Sequence, residues 1–198
     1  MKNKIVAHKD LKIRIEEDFF NTVDSDTLLK NFIKKLPWES MTIKMFGRDT
    51  KIPRLQCWIG DQGCEYRYSG KQLNRQAWNQ DLIMIRKRIF QKFKIDFNSV
   101  LANYYRDGKD SMGWHSDDEK ELGPNPTIAS ISFGSERDLV FKNKISRETL
   151  AIPQTNGCLI LIDGETQKNW QHSIKKTQKV IGPRINLTFR NIINKNNF

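Results

Sequence analysis

Cysteine, histidine and long apolar runs are scarce in this chain of 198 residues, which has three of each of the two residue types. Cys57, Cys64 and Cys158 are odd in number and fit neither a zinc-site spacing nor a disulfide framework. That excludes a small disulfide-stapled scaffold and points to a reducing compartment. No stretch reaches membrane-spanning length. The first ten residues lack the apolar core of a secretory signal. The expectation is an intracellular, cytoplasmic protein with no membrane partner, beside the nucleoid in a prokaryote or in the nucleus of a eukaryote. Asn186-Leu-Thr188, a formal glycosylation acceptor, then counts as chance. Repeats, low-complexity tracts and linkers are absent too, so the length reads as a single domain with a real core, expected to be a monomer. Acidic side chains are also in deficit, 23 against 34 Lys plus Arg, for a formal charge of +11. Such a balance suits a polyanion, because Lys and Arg near phosphates release counterions. No basic amphipathic helix argues for a membrane surface instead.

What is present falls into two halves. Leu11-Lys-Ile-Arg-Ile15 alternates and reads as a short strand. Asp24-Ser-Asp-Thr27 has helix-start chemistry, Leu28, Leu29, Phe32, Ile33 and Leu36 recur at helical spacing, and Pro37 stops the helix. Strand-like pieces follow at Met41–Phe46, Arg54–Ile59 and Glu65–Tyr68, with turns at Gly47, Gly60 to Gly63 and Gly70. Phe46 stands at a turn beside Gly47 and Arg48. Tyr66, Arg67 and Tyr68 interleave aromatic and basic groups, a composition suited to stacking bases and holding phosphate, although a half-buried strand would look the same. A second helix is expected over Trp78–Phe93, with Leu82, Ile85, Ile89 and Phe93 on its apolar face. After Asp96 the chain turns to strands with no helix signal: Ser99–Tyr105, Thr127–Phe133, Asp138–Lys142, Glu148–Ile152, Cys158–Ile162, Gln171–Ile174 and Arg184–Arg190. The predicted class is α+β, mainly β. Residues 96–198 would form a double-stranded β-helix (jelly roll) core, and residues 1–95 scaffold helices and a hairpin substrate lid packed on it.

Two patterns in the second half carry chemistry. His115 and Asp117 lie two apart after a strand-like run, so both side chains can face one point. His172 is the partner that would complete a two-His, one-carboxylate set, the donor pattern of non-haem iron(II) oxygenases. The last strand, Arg184-Ile-Asn-Leu-Thr-Phe-Arg190, alternates polar and apolar residues. Inward-facing guanidinium groups are costly unless they meet an anion. Asn103 and Tyr105, again two apart, could add polar groups from the strand leading to His115.

Taken in order, these motifs resemble the AlkB family of Fe(II)- and 2-oxoglutarate-dependent dioxygenases. The likeness extends through Phe46-Gly47, Pro53-Arg54, Tyr66-Arg-Tyr-Ser-Gly70, Asn103-Tyr-Tyr105, His115-Ser-Asp-Asp-Glu119, Ala129-Ser-Ile-Ser-Phe-Gly134, His172-Ser173 and the final strand. It covers about residues 40 to 192 and is greatest to vertebrate-type homologues that act on duplex DNA. The resemblance implies iron ligation by His115, Asp117 and His172. It implies that Arg190 grips the distal carboxylate of 2-oxoglutarate in a pocket shaped by Asn103, Tyr105, Arg184 and Asn186. Arg54, Tyr66, Tyr68 and Ser69 would line the base pocket, Glu119 would meet the base near its exocyclic nitrogen, and Phe46 would fill the gap left by a flipped nucleotide. The implied activity is oxidative demethylation of bases such as 1-methyladenine or 3-methylcytosine in DNA, consuming O₂ and releasing formaldehyde.

The chain departs from its duplex-directed relatives in two places that bear on strand preference. Thr177-Gln178-Lys179 stands where they carry a basic triplet, and the loop between Lys142 and Glu148 is shorter. Alternative readings are the same chemistry on RNA bases, a non-catalytic nucleic-acid-binding jelly roll, and a zinc hydrolase. The last gives Arg184 and Arg190 no task.

Overall fold

Asn21 starts the first helix by accepting a hydrogen bond at its side chain from Asp24 N at 2.9 Å. The start therefore falls three residues before the Asp24 at which the sequence suggested it. In this computed structural model, which describes residues 3–45, 47–68 and 71–193, the elements run as follows. Strands Asn3–His8 (β1) and Leu11–Glu16 (β2) precede helix Thr22–Lys35 (α1). Glu39–Met45 (β3) and Arg48–Gly60 (β4) form a hairpin whose turn contains Gly47 at φ 77°. The short strands Arg67–Tyr68 (β5), Lys71–Gln72 (β6) and Arg75–Gln76 (β7) lead to helix Gln80–Phe93 (α2). Then come Ser99–Tyr105 (β8), Met112–His115 (β9), Ile128–Gly134 (β10), Arg137–Asn143 (β11), Thr149–Gln154 (β12) and Leu159–Ile162 (β13). Helix Gly164–Asn169 (α3), Trp170–Ile174 (β14) and Arg184–Arg190 (β15) complete the order. Among the described residues no helix is long and apolar enough to cross a membrane.

Two sheets face each other. The larger has the order β1-β2-β13-β10-β15-β8-β4-β3, with β7 beside β4, and the smaller has β12-β11-β14-β9. From β8 onward the chain crosses between them: β8, β10, β13 and β15 belong to the larger sheet, and β9, β11, β12 and β14 to the smaller. Within both sheets the described pairings are antiparallel except β4 with β7. This is the expected jelly roll.

Alternation along the strands decides which residues face which layer. Val100, Ala102, Ala129, Ile131, Phe133, Ile185, Leu187 and Phe189 turn outward from the larger sheet and bury against Leu28 and Phe32 of α1 and Leu82, Ile85 and Ile89 of α2. Leu11, Ile13, Ile15, Tyr105, Ile128, Leu139, Phe141, Ile160 and Trp170 fill the space between the sheets. Full burial of one Leu or Ile side chain is worth roughly 1.5–3 kcal/mol, so both layers contribute to holding β15 in place.

Three expectations need correction. The expected jelly-roll core of residues 96–198 is not self-contained: β2 pairs with β13, and β4 pairs with β8, so residues before 96 extend the larger sheet on both sides. Residues after 96 do include helix, namely α3 and a 3₁₀ turn at Lys120–Leu122. The second helix begins after Asn79, whose side chain accepts from Leu82 N at 2.9 Å, leaving Trp78 outside to stack near Phe189. The three cysteines are buried and unpaired. Burial pushes the Cys57 and Cys158 thiols up to about 12.

A metal centre and a buried arginine inside the jelly roll

All seven residues of β15 are buried. Its apolar residues face the helices, and Arg184, Asn186, Thr188 and Arg190 face the space between the sheets, as the alternation predicts. A network that reaches from the larger sheet to β12 of the smaller one holds this polar row. Asn186 Nδ2 donates to Ser130 Oγ at 2.8 Å and Ile131 O at 3.1 Å, and its Oδ1 accepts from Thr188 Oγ1 at 3.0 Å. Arg184 Nη2 donates to Ser132 Oγ at 2.7 Å and Gln154 Oε1 at 2.6 Å, with its guanidinium carbon 5.0 Å from the centre of the Tyr105 ring. Ser130 and Ser132 belong to the quoted Ala-Ser-Ile-Ser-Phe-Gly motif, yet their role is visible only across β10 and β15. Gln154 lies two residues past inward-facing Ile152, a spacing that could have flagged it.

The metal-ligating set comes from the smaller sheet and the loop beyond it. His115 ends β9 and pairs in register with His172 of β14, their ring centres 4.2 Å apart. A register shift between the two strands lets Met112 oppose Ile174 while His115 opposes His172. Such an irregularity re-aims a side chain at the end of a strand, so plain i, i+2 alternation is not what presents His115. Asp117 lies past the strand end and is 1% exposed. His172 Nε2 is 3.6 Å from Asp117 Oδ2. One ligand atom from each of His115, Asp117 and His172 lies within 4.8 Å of the others.

The protonation states of this set suit a metal, since ligands must be deprotonated. Burial, then His115, pulls the His172 pKa down to about 3, so the ring is neutral. Burial works to raise the Asp117 pKa, but the Arg190 guanidinium beside it leads the charges that more than offset this, and the carboxyl is held below its ordinary value. Arg190 Nη2 donates to Asp117 Oδ1. The neutral His172 ring, the ionised Asp117 carboxylate and the His115 ring, with ligand atoms within 4.8 Å of one another, fit an iron(II) ion.

Arg190 also reaches a second group. Its Nη1 donates to the Tyr66 hydroxyl at 2.9 Å, and that hydroxyl donates to Glu119 Oε1 at 2.5 Å. Tyr66 is 0% exposed and stacks on Trp58, ring centres 4.5 Å apart. Burial pushes its pKa well above 10 against the pull of Arg190. Tyr66 is therefore a buried bridge between Glu119 and Arg190. Arg54 is 2% exposed, with Nε donating to Asn103 Oδ1 at 2.9 Å. Gln56 Nε2 donates to the same oxygen at 2.9 Å, so Asn103 and Arg54 belong to a framework inside the sheet. Phe46 and Ser69 lie outside the described residues, as does the side chain of Tyr68.

The two arginines differ in company. The described hydrogen-bond partners of buried Arg184 are neutral, and its Nε and Nη1 make no hydrogen bond among the described residues. Burial pulls its pKa down to about 10, a measure of how poorly the cation is compensated. Arg190 is bound to a carboxylate instead. The group that lacks an anion is thus Arg184, at the opposite end of the strand from the metal ligand.

A jelly roll that closes two histidines and an aspartate on one point, with a buried uncompensated arginine beyond them, defines a mononuclear iron oxygenase of the 2-oxoglutarate type. The family model of the 2OG-Fe(II) oxygenase superfamily matches residues 12–190, from β2 to the end of β15. The chain is 36% identical over 185 residues to the DNA oxidative demethylase ALKBH2 of Homo sapiens, covering 88% of this chain and 71% of that protein. It is 35% identical over 184 residues to the alpha-ketoglutarate-dependent dioxygenase alkB homolog 3 of Bos taurus, covering 88% and 64%. Among solved structures, OsALKBH1 shares the fold with a TM-score of 0.62 at 14% identity, over 95% of this chain and 100% of that one. The chain belongs to the AlkB family of 2OG-Fe(II) oxygenases. It spans about two thirds of the length of these relatives.

Proposed function

We propose that this chain is an Fe(II)- and 2-oxoglutarate-dependent oxidative demethylase that restores N-alkylated bases in DNA. Carrying the reading is the His115, Asp117 and His172 cluster at the metal-facing end of β15 with anion-seeking Arg184 at the other. With iron, 2-oxoglutarate and O₂ bound, the centre supplies hydroxylation of an N-methyl group, whose carbon leaves as formaldehyde. The protein's own part is to hold and exclude. Arg184 takes the carboxylate of 2-oxoglutarate remote from the metal, the task the sequence had given to Arg190, while Arg190 braces Asp117. Tyr105 and Asn186 shape the passage between them. Glu119, fixed through Oε1 by Tyr66, keeps Oε2 without a hydrogen bond among the described residues, an acceptor for the exocyclic amino group of a flipped base. The family resemblance assigns Tyr68, Ser69 and Phe46 to contacts with the nucleic acid. The net charge of +11 supports a polyanionic substrate, and the similarity to DNA oxidative demethylases supports DNA.

The test is a panel of oligonucleotides carrying 1-methyladenine or 3-methylcytosine, single-stranded, duplex and RNA, assayed by mass spectrometry. The expected result is loss of one methylene mass with stoichiometric succinate, abolished in His115→Ala, Asp117→Ala and His172→Ala. Succinate formation with no change in any nucleic acid would refute the substrate. Preference for the RNA arm would move the same chemistry to RNA.

A further inference from the structure

We infer that Gln167 is the positioning residue that fixes Asp117 as a metal ligand. The inference rests on the reading of His115, Asp117 and His172 as the metal set. Asp117 lies beyond the end of β9, so no strand ladder holds its backbone. Its N–H donates instead to Gln167 Oε1 at 3.0 Å, a buried bond spanning 50 positions of sequence. The N–H can only donate, so it fixes the orientation of the amide and assigns the acceptor role to its oxygen. Gln167 Nε2 is buried and makes no hydrogen bond among the described residues. An amide kept inside the protein with one end unused is kept for its other end.

Gln167 is itself held from three sides. Lys144 Nζ donates to its backbone oxygen at 2.9 Å. Its neighbour Thr166 clamps α3 to β2, with Oγ1 accepting from Lys12 N at 3.0 Å. At Gly164 a Cβ would collide with the Asn125 backbone, so the start of α3 sits flush against the loop that follows the 3₁₀ turn. Next to Asp117, Ser116 Oγ donates to Trp170 O at 3.0 Å. The short α3 thus joins the two halves of the metal set: it runs directly into β14, which bears His172, and its side chain pins the backbone of Asp117. Arg190 aims the carboxylate through Oδ1, and Gln167 sets where that carboxylate starts.

Two substitutions separate this role from simple filling of space. Gln167→Met keeps the volume and removes the acceptor. Gln167→Glu keeps the acceptor and introduces a carboxyl group. The measurement is Co(II) binding to the metal-free full chain, without 2-oxoglutarate, with the thermal midpoint of each metal-free variant recorded alongside. Loss of a group that orients a metal ligand typically weakens metal binding about 10- to 100-fold. Gln167→Met should show a loss of that size with a metal-free midpoint close to the parent's, and Gln167→Glu should bind within a few-fold of the parent. Space filling requires the reverse, with Met tolerated and Glu damaging. Parent-like Co(II) affinity in a folded Gln167→Met would overturn the inference. If the Glu variant fails to fold, the Met variant decides alone. A parent chain that takes up no Co(II) would overturn the metal assignment itself.

Discussion

Tyr66→Phe is the most informative single change, because it removes one oxygen from the middle of a buried charged network. Two hydrogen bonds vanish, Tyr66 to Glu119 at 2.5 Å and Arg190 to Tyr66 at 2.9 Å. The ring and its stacking on Trp58 remain. Hydrogen bonds to charged groups contribute about 1.5–3 kcal/mol each. Bonds within one network are not additive, which puts the expected loss at about 2–5 kcal/mol. Urea unfolding of the metal-free chain reads this directly. With a slope of about 1–3 kcal/mol/M, the midpoint should fall by roughly 0.7 M or more at unchanged slope. If Tyr66 were instead a wall of the base pocket, the midpoint would hardly move and the KM for a methylated oligonucleotide would rise. A loss of stability below about 0.5 kcal/mol, the range of ordinary surface substitutions, would refute the bridging role.

Arg184→Ala should raise the KM for 2-oxoglutarate, since losing a buried charge-assisted partner costs about 2–5 kcal/mol, whereas Arg190→Ala should act first on metal affinity. A 2-oxoglutarate defect confined to Arg190→Ala would return the distal carboxylate to Arg190. Phe46→Ala should lower activity on a methylated duplex roughly ten- to a hundred-fold, as a lost base–aromatic stack of about 1–3 kcal/mol predicts. The matching single strand should stay within a few-fold, and equal loss on both would show that Phe46 is not a wedge. Burial works to raise the Asp110 pKa, but the Arg106 guanidinium at 2.8 Å outweighs it and holds the carboxyl below 3.8. A depressed carboxylate stabilises the fold above its unfolded pKa and loses that contribution as pH falls through its folded value. The stability gap between parent and Arg106→Ala should therefore be constant near neutrality and close below about pH 3.8, and a gap unchanged in acid would refute the pairing.

The legible parts of the sequence were those written in periodicity or in unusual side-chain chemistry. Seven alternating residues announced both faces of β15, and the iron ligands stood out because histidine is so rare in the chain. What stayed hidden was mostly non-local. A six-residue helix has too few turns for an amphipathic signal, so Gly164–Asn169 left no trace, and Gln167 went with it. The register shift at β9 depends on its pairing with β14. The alternation of Tyr66, Arg67 and Tyr68 could not be assigned from sequence, because it looks the same on a binding edge and on a half-buried strand. The supposed seam at Asp96 marked a change in local pattern, while the hydrogen bonds of β2 and β4 ignore it.

Strand β15 has a further consequence, for what errors the chain can survive. A slip of one residue in its pairing with β8 or β10 would exchange the two faces together. Arg184, Asn186, Thr188 and Arg190 would enter the hydrocarbon layer under the helices, and Ile185, Leu187 and Phe189 would line the cavity. No intermediate register offers a sound core with a faulty site, or the reverse. For a protein that brings iron and oxygen together, that coupling works as a safeguard. A misassembled molecule fails as a whole, with no folded remnant able to hold the metal and release stray oxidant.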